Sequence, residues 1–165
     1  MHALNSNAFT HQLMIDTLLG VIYLDLGDVQ RAIEFFEQQL KIVRDVGDRQ
    51  SEDITIGNIG LAYMKLGKLR RAIEYFERAL TIEREIGNQR GEAYSLWNIG
   101  LALQNLGDYV EAVPYAENAL KIFKYIGDPN TAMVQNLLTQ WYRKADKRKS
   151  KEKGTKRAFL KSICG

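Results

Sequence analysis

Apolar residues return every third or fourth position through Ile56, Ile59, Tyr63 and Leu66, and again through Leu69, Ile73, Phe76 and Leu80, with charged and polar residues between them. This spacing gathers the apolar side chains on one side of an α-helix. It predicts two helices, the first ending at Gly67 and the second at Gly87, since glycine takes the left-handed conformation at little cost just past a helix end. Asp28 and Asp108 stand where the second helix of a unit needs an N-cap, and Asp48, Asn88 and Asp128 where the next unit begins. Pro129 is expected at a first helical position.

The pattern recurs. Gly20, Gly60 and Gly100 are separated by steps of 40 residues, as are Gly27, Gly67 and Gly107, and Gly47, Gly87 and Gly127. Ala32, Ala72 and Ala112 keep the same step, with Leu40, Leu80 and Leu120, and Ile42, Ile82 and Ile122. Three helix-turn-helix units and no strands are predicted. A glycine inside a helix costs about 1 kcal/mol relative to alanine. Its return at Gly20, Gly60 and Gly100 therefore predicts a close approach of the two helices of a unit, with Ala32, Ala72 and Ala112 on the opposite side. Pro114, inside the second helix of the third unit, is expected to remove one backbone donor and bend that helix.

The ends differ from the middle. The first helix, Leu13 to Leu26, is apolar on nearly all sides, as buried helices are. About ten residues precede it, too few for another unit, though Leu4, Ala8 and Phe9 could fold back over part of it. Self-association through this end competes with a local cap and tolerated exposure. After the third unit, Val134, Leu137, Leu138, Trp141 and Tyr142 fall on one side of a helix with Gln135, Asn136, Gln140 and Arg143 opposite, the composition of a capping helix that closes a stack of units.

Charge separates the body from the tail. Up to Tyr142 there are 13 Lys or Arg against 18 Asp or Glu, and from Arg143 onward 10 against 2. The basic end is expected to be a disordered extension. Residues 1–12 thus read as an N-terminal extension, 13–142 as the repeat domain (units at about 13–47, 53–87 and 93–127, capping helix 129–143), and 144–165 as the tail. Cys164 is the one cysteine, so neither a disulfide framework nor a structural metal is expected. No apolar run approaches the roughly 18 residues of a membrane span, and a cytoplasmic protein is expected.

Asn58-Ile-Gly60-Leu-Ala62-Tyr63, Leu66-Gly67, Ala72-Ile-Glu-Tyr-Phe76 and Ala79-Leu80 resemble the tetratricopeptide repeat, usually 34 residues long. The longer unit, with Gly-Asp or Gly-Asn followed by Arg and Glu, is similar to repeats of G-protein signalling modulators and bacterial signalling arrays. The resemblance covers roughly Leu13 to Gly127. It implies an all-α, right-handed α-solenoid of three repeats with a C-terminal capping helix. It also implies a concave groove lined by the first helix of each repeat, where peptides lie.

Carried onto this chain, that groove is lined by Met14, Thr17 and Val21, then Ile54, Gly57, Asn58, Leu61 and Lys65, then Tyr94, Trp97, Asn98, Leu101 and Asn105. Asn58 and Asn98 match an asparagine that binds a ligand's backbone or terminal carboxylate in family members; otherwise they face water in the groove. The first unit has Leu18 there instead. The basic clamp of chaperone-binding members is poorly matched, with Ile54, Tyr94 and Trp97 at its positions and only Lys65 nearby. Tyr94 and Trp97 have the composition of binding hot spots, although Trp97 equally suits packing between repeats.

The function expected is a scaffold or adaptor that binds a peptide or amphipathic helix. The alternatives are attachment to nucleic acid or an anionic membrane through the basic tail, or a fragment or paralogue of a larger signalling protein. No enzyme, cofactor or metal site is expected: His2 and His11 both lie in the irregular start, and the carboxylates repeat on outward helix faces.

Overall fold

The computed structural model describes the backbone of residues 2–163 and the side chains of residues 11–148 and 150. Seven helices, and no strand among the described residues, follow one another: α1 (His2–Asp25), α2 (Val29–Val46), α3 (Arg49–Lys65), α4 (Leu69–Ile86), α5 (Gln89–Asn105), α6 (Tyr109–Ile126) and α7 (Thr131–Ile163). Each helix packs on the next, and α1 also reaches α3. The pairs α1–α2, α3–α4 and α5–α6 are the three repeats.

The helix ends follow from local chemistry. Gly27, Gly47, Gly67, Gly87, Gly107 and Gly127 all have φ between 68° and 84°, a region costly for any residue with a Cβ. Asp28, Asp48, Asn88 and Asp108 each accept a backbone N–H three residues on, which satisfies an otherwise orphaned helix donor. Lys68 stands at the corresponding place before α4 and makes no such bond. Asp128 differs from the expected cap. Its carboxylate accepts the N–H of Asn130 at 2.9 Å and α7 begins at Thr131, so Pro129 precedes the helix instead of opening it.

Inside each repeat the glycine of the first helix meets the second helix closely. A Cβ on Gly20 would lie 2.3 Å from the Phe36 ring, and one on Gly60 would lie 2.6 Å from the Phe76 ring. The nearest group in these two repeats is therefore a phenylalanine ring, with Ala32 and Ala72 buried on the same helix one turn earlier. In the third repeat Ala116 replaces the phenylalanine, and Gly100 faces backbone of Ala112 and Ala116 together with the Trp141 ring. Phe36, Phe76, Phe123, Ile56, Ile59 and Ile99 form the centre of the continuous core. α6 continues through Pro114, which faces outward.

The two ends depart from expectation. α1 begins at His2, so the backbone of the leading residues prolongs the helix; folding back of Leu4, Ala8 and Phe9 was one of the readings the sequence left open, and their side chains lie outside those described. At the other end α7 runs on into the basic segment. Ala145 is buried, Lys144 Nζ donates to Tyr109 Oη at 2.9 Å, and Arg148 donates to the Gly107 carbonyl at 2.8 Å. These contacts tie the beginning of the expected disordered tail to α6 and the loop before it. Cys164 and the side chains from Lys151 onward lie outside the described residues.

Candidate functional site

α1 and α3 lie side by side, and the face they share carries two adjoining depressions. The first, of about 440 Å³, is walled by Leu13, Met14, Leu18 and Ile54 and floored by Thr17 and Gln39, with Asp48 and Ser51 at its edge. The second, of about 550 Å³, lies between Val21 and Leu24 of α1 and Asn58, Leu61, Met64 and Lys65 of α3, with Asp25 at its rim. Met14, Leu18, Val21, Ile54 and Leu61 are all exposed. A row of large apolar side chains in water is uncommon on a stable surface without a binding role.

Position in the repeat explains the row. Residues that point neither into the pair nor toward the preceding helix fall on this face, and here they are apolar where solvent alone would select charge. Gln39 is peculiar to the first repeat, since Ala79 and Ala119 take its place in the others. It is buried, and its Nε2 donates to Thr17 Oγ1 at 2.5 Å and to the Leu13 carbonyl at 3.3 Å. Its Oε1 has no partner, so the depression has an acceptor beneath its apolar wall. Sequence reasoning missed Gln39; its departure from the alanine of the other repeats is the signal that could have found it.

The predicted site residues separate into two groups. Ile54, Asn58, Leu61 and Lys65 come together beside α1. The Lys65 ammonium donates to the Leu24 carbonyl at the end of α1, which leaves it less available to an acidic ligand. The α5 set is arranged differently. Trp97 is buried with its ring stacked on Trp141 at 5.2 Å and 4°. Tyr94 Oη accepts from Asn130 at 2.8 Å, and its ring meets Phe123 edge-on at 5.1 Å. Asn98 and Leu101 are half-buried and Asn105 is exposed. The two aromatic hot-spot candidates are thus engaged by α6, α7 and the loop between them.

No cluster of three or more His, Cys, Asp or Glu among the described residues could hold a metal. No described helix is long and apolar enough to cross a membrane. The buried ionisable pair, Asp53 and Glu83, sits between α3, α4 and α5, away from the depressions. Burial pushes the Glu83 carboxyl up to about 8 although Ser95 Oγ donates to it at 2.8 Å.

The fold recurs in solved structures. The chain superposes on the TPR domain of Arabidopsis FLU with a TM-score of 0.66 and 20% identity, covering 70% of this chain and 98% of that one. It matches aspartyl phosphate phosphatase F from Bacillus subtilis with a TM-score of 0.78 and 17% identity, over 93% of this chain and 40% of that one. The TPR2AB domain of yeast Sti1, solved in complex with pHSP90, gives a TM-score of 0.72 at 18% identity, over 87% of this chain and 51% of that one. This chain spans about half or less of the latter two, and at such identities the likeness carries the fold alone. No curated protein matches the sequence. The sequence profile of the tetratricopeptide repeat matches residues 12–85 and 91–151, most of the chain, and with the paired helices, αL glycines and capping helix already described, the chain belongs to the tetratricopeptide repeat family.

Proposed function

We propose that this chain is a protein-interaction module that takes a partly apolar peptide segment along the face shared by α1 and α3. The observation that carries the reading is the pair of adjoining apolar depressions bounded by Met14, Leu18, Ile54 and Leu61. Ile54 and Leu61 are seven residues apart, about 10 Å along a helix at 1.5 Å per residue. A ligand with two apolar anchors at that separation fills both depressions, as either an amphipathic helix or an extended segment. Asp25 and Asp48 at the rims favour a ligand with neutral or basic flanks.

Family membership supports this class of function, because tetratricopeptide arrays are interaction modules, and the Sti1 domain was solved with a bound partner. The α5 residues of the expected groove take a lesser part in this reading: Tyr94 and Trp97 shape its far end, while Asn58, Asn98 and Asn105 supply polar edges.

The test is selection from a displayed library of random peptides, followed by titration of the winners against the full chain. Wild type is expected to enrich peptides carrying two spaced apolar residues, with affinity largely retained between 50 and 300 mM salt, where phosphate-type contacts lose theirs steeply. Ile54→Asp and Leu61→Asp should each abolish binding without changing the helical spectrum, since both side chains are exposed. Enriched peptides that bind both variants as tightly as wild type refute the site.

A further inference from the structure

α1 carries a second apolar face, and the repeat pattern identifies what kind of face it is. At the forty-residue step Ile15 corresponds to Thr55 and Ser95, and Ile22 to Ala62 and Ala102. Thr55, Ala62 and Ala102 are 0% exposed and Ser95 is 4% exposed, whereas Ile15 is 49% and Ile22 50% exposed. α3 and α5 each have a helix packed ahead of them, α2 and α4 respectively, and α1 has none among the described residues. The difference in burial therefore locates the surface that α2 and α4 cover on their neighbours. On α1 the same inter-repeat interface continues, uncovered.

Residue size indicates the occupant. Thr55 with Ala62, and Ser95 with Ala102, are small enough for the preceding helix to come close. Ile15 and Ile22 hold an incoming helix farther off and present branched apolar surface in place of a small-residue seam. A second α1 matches that surface. Ile15 and Ile22 are two helical turns apart on one stripe, with Leu18 and Leu19 between them. When two such helices cross antiparallel with their midpoint between Leu18 and Leu19, Ile15 of each copy meets Ile22 of the other. The contact is made twice, as an isologous two-fold interface requires.

We propose that two copies of this chain associate through the outer face of α1 as an antiparallel two-fold dimer, with reciprocal Ile15–Ile22 contacts. One helix face per copy is a small interface, and association in the micromolar range is expected. The contact centres on Ile15 and Ile22 and borders the first depression, with which it shares Leu18, so it is tested with no peptide present.

Sedimentation velocity of the full chain over a range of concentrations tests the proposal, with no peptide present. Wild type shifts from monomer to dimer as concentration rises. Ile15→Glu and Ile22→Lys each weaken association by roughly tenfold or more, with an unchanged circular-dichroism spectrum because both positions are half exposed. An equimolar mixture of the two variants recovers dimer, since one reciprocal contact becomes a Glu–Lys pair and the other keeps both isoleucines. If either charged variant loses helicity, Ile15→Gln and Ile22→Gln carry the single-variant comparison. A wild type that stays monomeric into hundreds of micromolar overturns the proposal, as do variants that dimerise like wild type. A mixture of folded variants that fails to recover overturns the antiparallel pairing.

Discussion

Asp53 and Glu83 are carboxyls placed where the other repeats keep apolar side chains. Glu83 corresponds to Val43 and Phe123, and Asp53 to Leu13 and Ala93. Asn88 Nδ2 donates to Asp53 at 3.0 Å and Ser95 Oγ to Glu83 at 2.8 Å, but Glu83 Oε2 has no acceptor-side partner. Burial raises both groups, and the neighbouring Asp53 and Glu92 add to the rise at Glu83. A proton on Glu83 resolves the arrangement, because the neutral acid donates to Asp53. The native state thus holds a proton that the unfolded chain gives up above its ordinary value of 4.5. The stabilisation is complete below that value, declines as pH rises, and is gone above about 8, the folded-state value. Thermal melts should show a midpoint that falls across this window. Glu83→Gln, which can accept from Ser95 and donate to Asp53, should flatten the fall. The glycines give a second prediction at this scale. Gly60→Ala pushes a Cβ to 2.6 Å from Phe76, whereas Gly100→Ala places one 3.3 Å from Trp141. Overpacking at Gly60 should cost about 1–3 kcal/mol, opposed by about 1 kcal/mol of helix propensity. Gly100→Ala should be the milder change in urea denaturation.

Among the elements, α7 has the most specific seat. Val134, Leu138, Trp141 and Ala145 are buried along one stripe. Trp141 fills the space left where Ala116 stands in place of Phe36 and Phe76, and it stacks on Trp97. The three residues act as a set, so the third repeat and its cap are packed differently from the first two. Trp141→Ala should lose about 3–5 kcal/mol, the usual cost of deleting a buried aromatic. Hydrogen exchange should report it as early opening of α7. Trp97→Ala should also lower stability, which distinguishes its packing role from that of the exposed Ile54 and Leu61. Between repeats, Arg44 of α2 holds Glu52 of α3 at 2.8 Å, with Arg49 of the same helix adding a contact at 2.6 Å, and Arg84 of α4 holds Glu92 of α5 at 2.8 Å. The third junction has Ala132 where the glutamate stands, and there Trp141 takes over the docking.

The whole molecule is a stack in which each helix is supported chiefly by its sequence neighbours, so stability varies along it as nearest-neighbour contacts do. Each helix from α2 to α6 is covered on both sides, most extensively α4 and α5, whereas α1 has one uncovered face. Amide exchange at low protein concentration should be faster in α1 than in the central helices and slowest in α4 and α5. Protection in α1 that grows with concentration is the expected mark of the α1 dimer. The same openness places Met14, Leu18 and Val21 in water beside α3, and the proposed peptide site lies where the array is least covered.

Much of this architecture could be read from residue order. The forty-residue step, the αL glycines and the capping Asp and Asn residues are local devices whose physics acts within a few residues, and they specify helices, turns and repeat number before any packing occurs. Ile54, Asn58, Leu61 and Lys65 were placed on one face by the resemblance to the tetratricopeptide repeat, carried over position by position. The fate of Trp97 was not legible, because it depends on Trp141 arriving from a helix more than forty residues away and on the space conceded by Ala116. The phenylalanine opposite Gly20 and Gly60, the seating of Lys144 and Arg148, and the burial of Asp53 beside Glu83 are likewise long-range packing outcomes. Periodicity tells which side of a helix a residue occupies; only the assembled helices decide whether that side meets water, another ring or a second carboxyl.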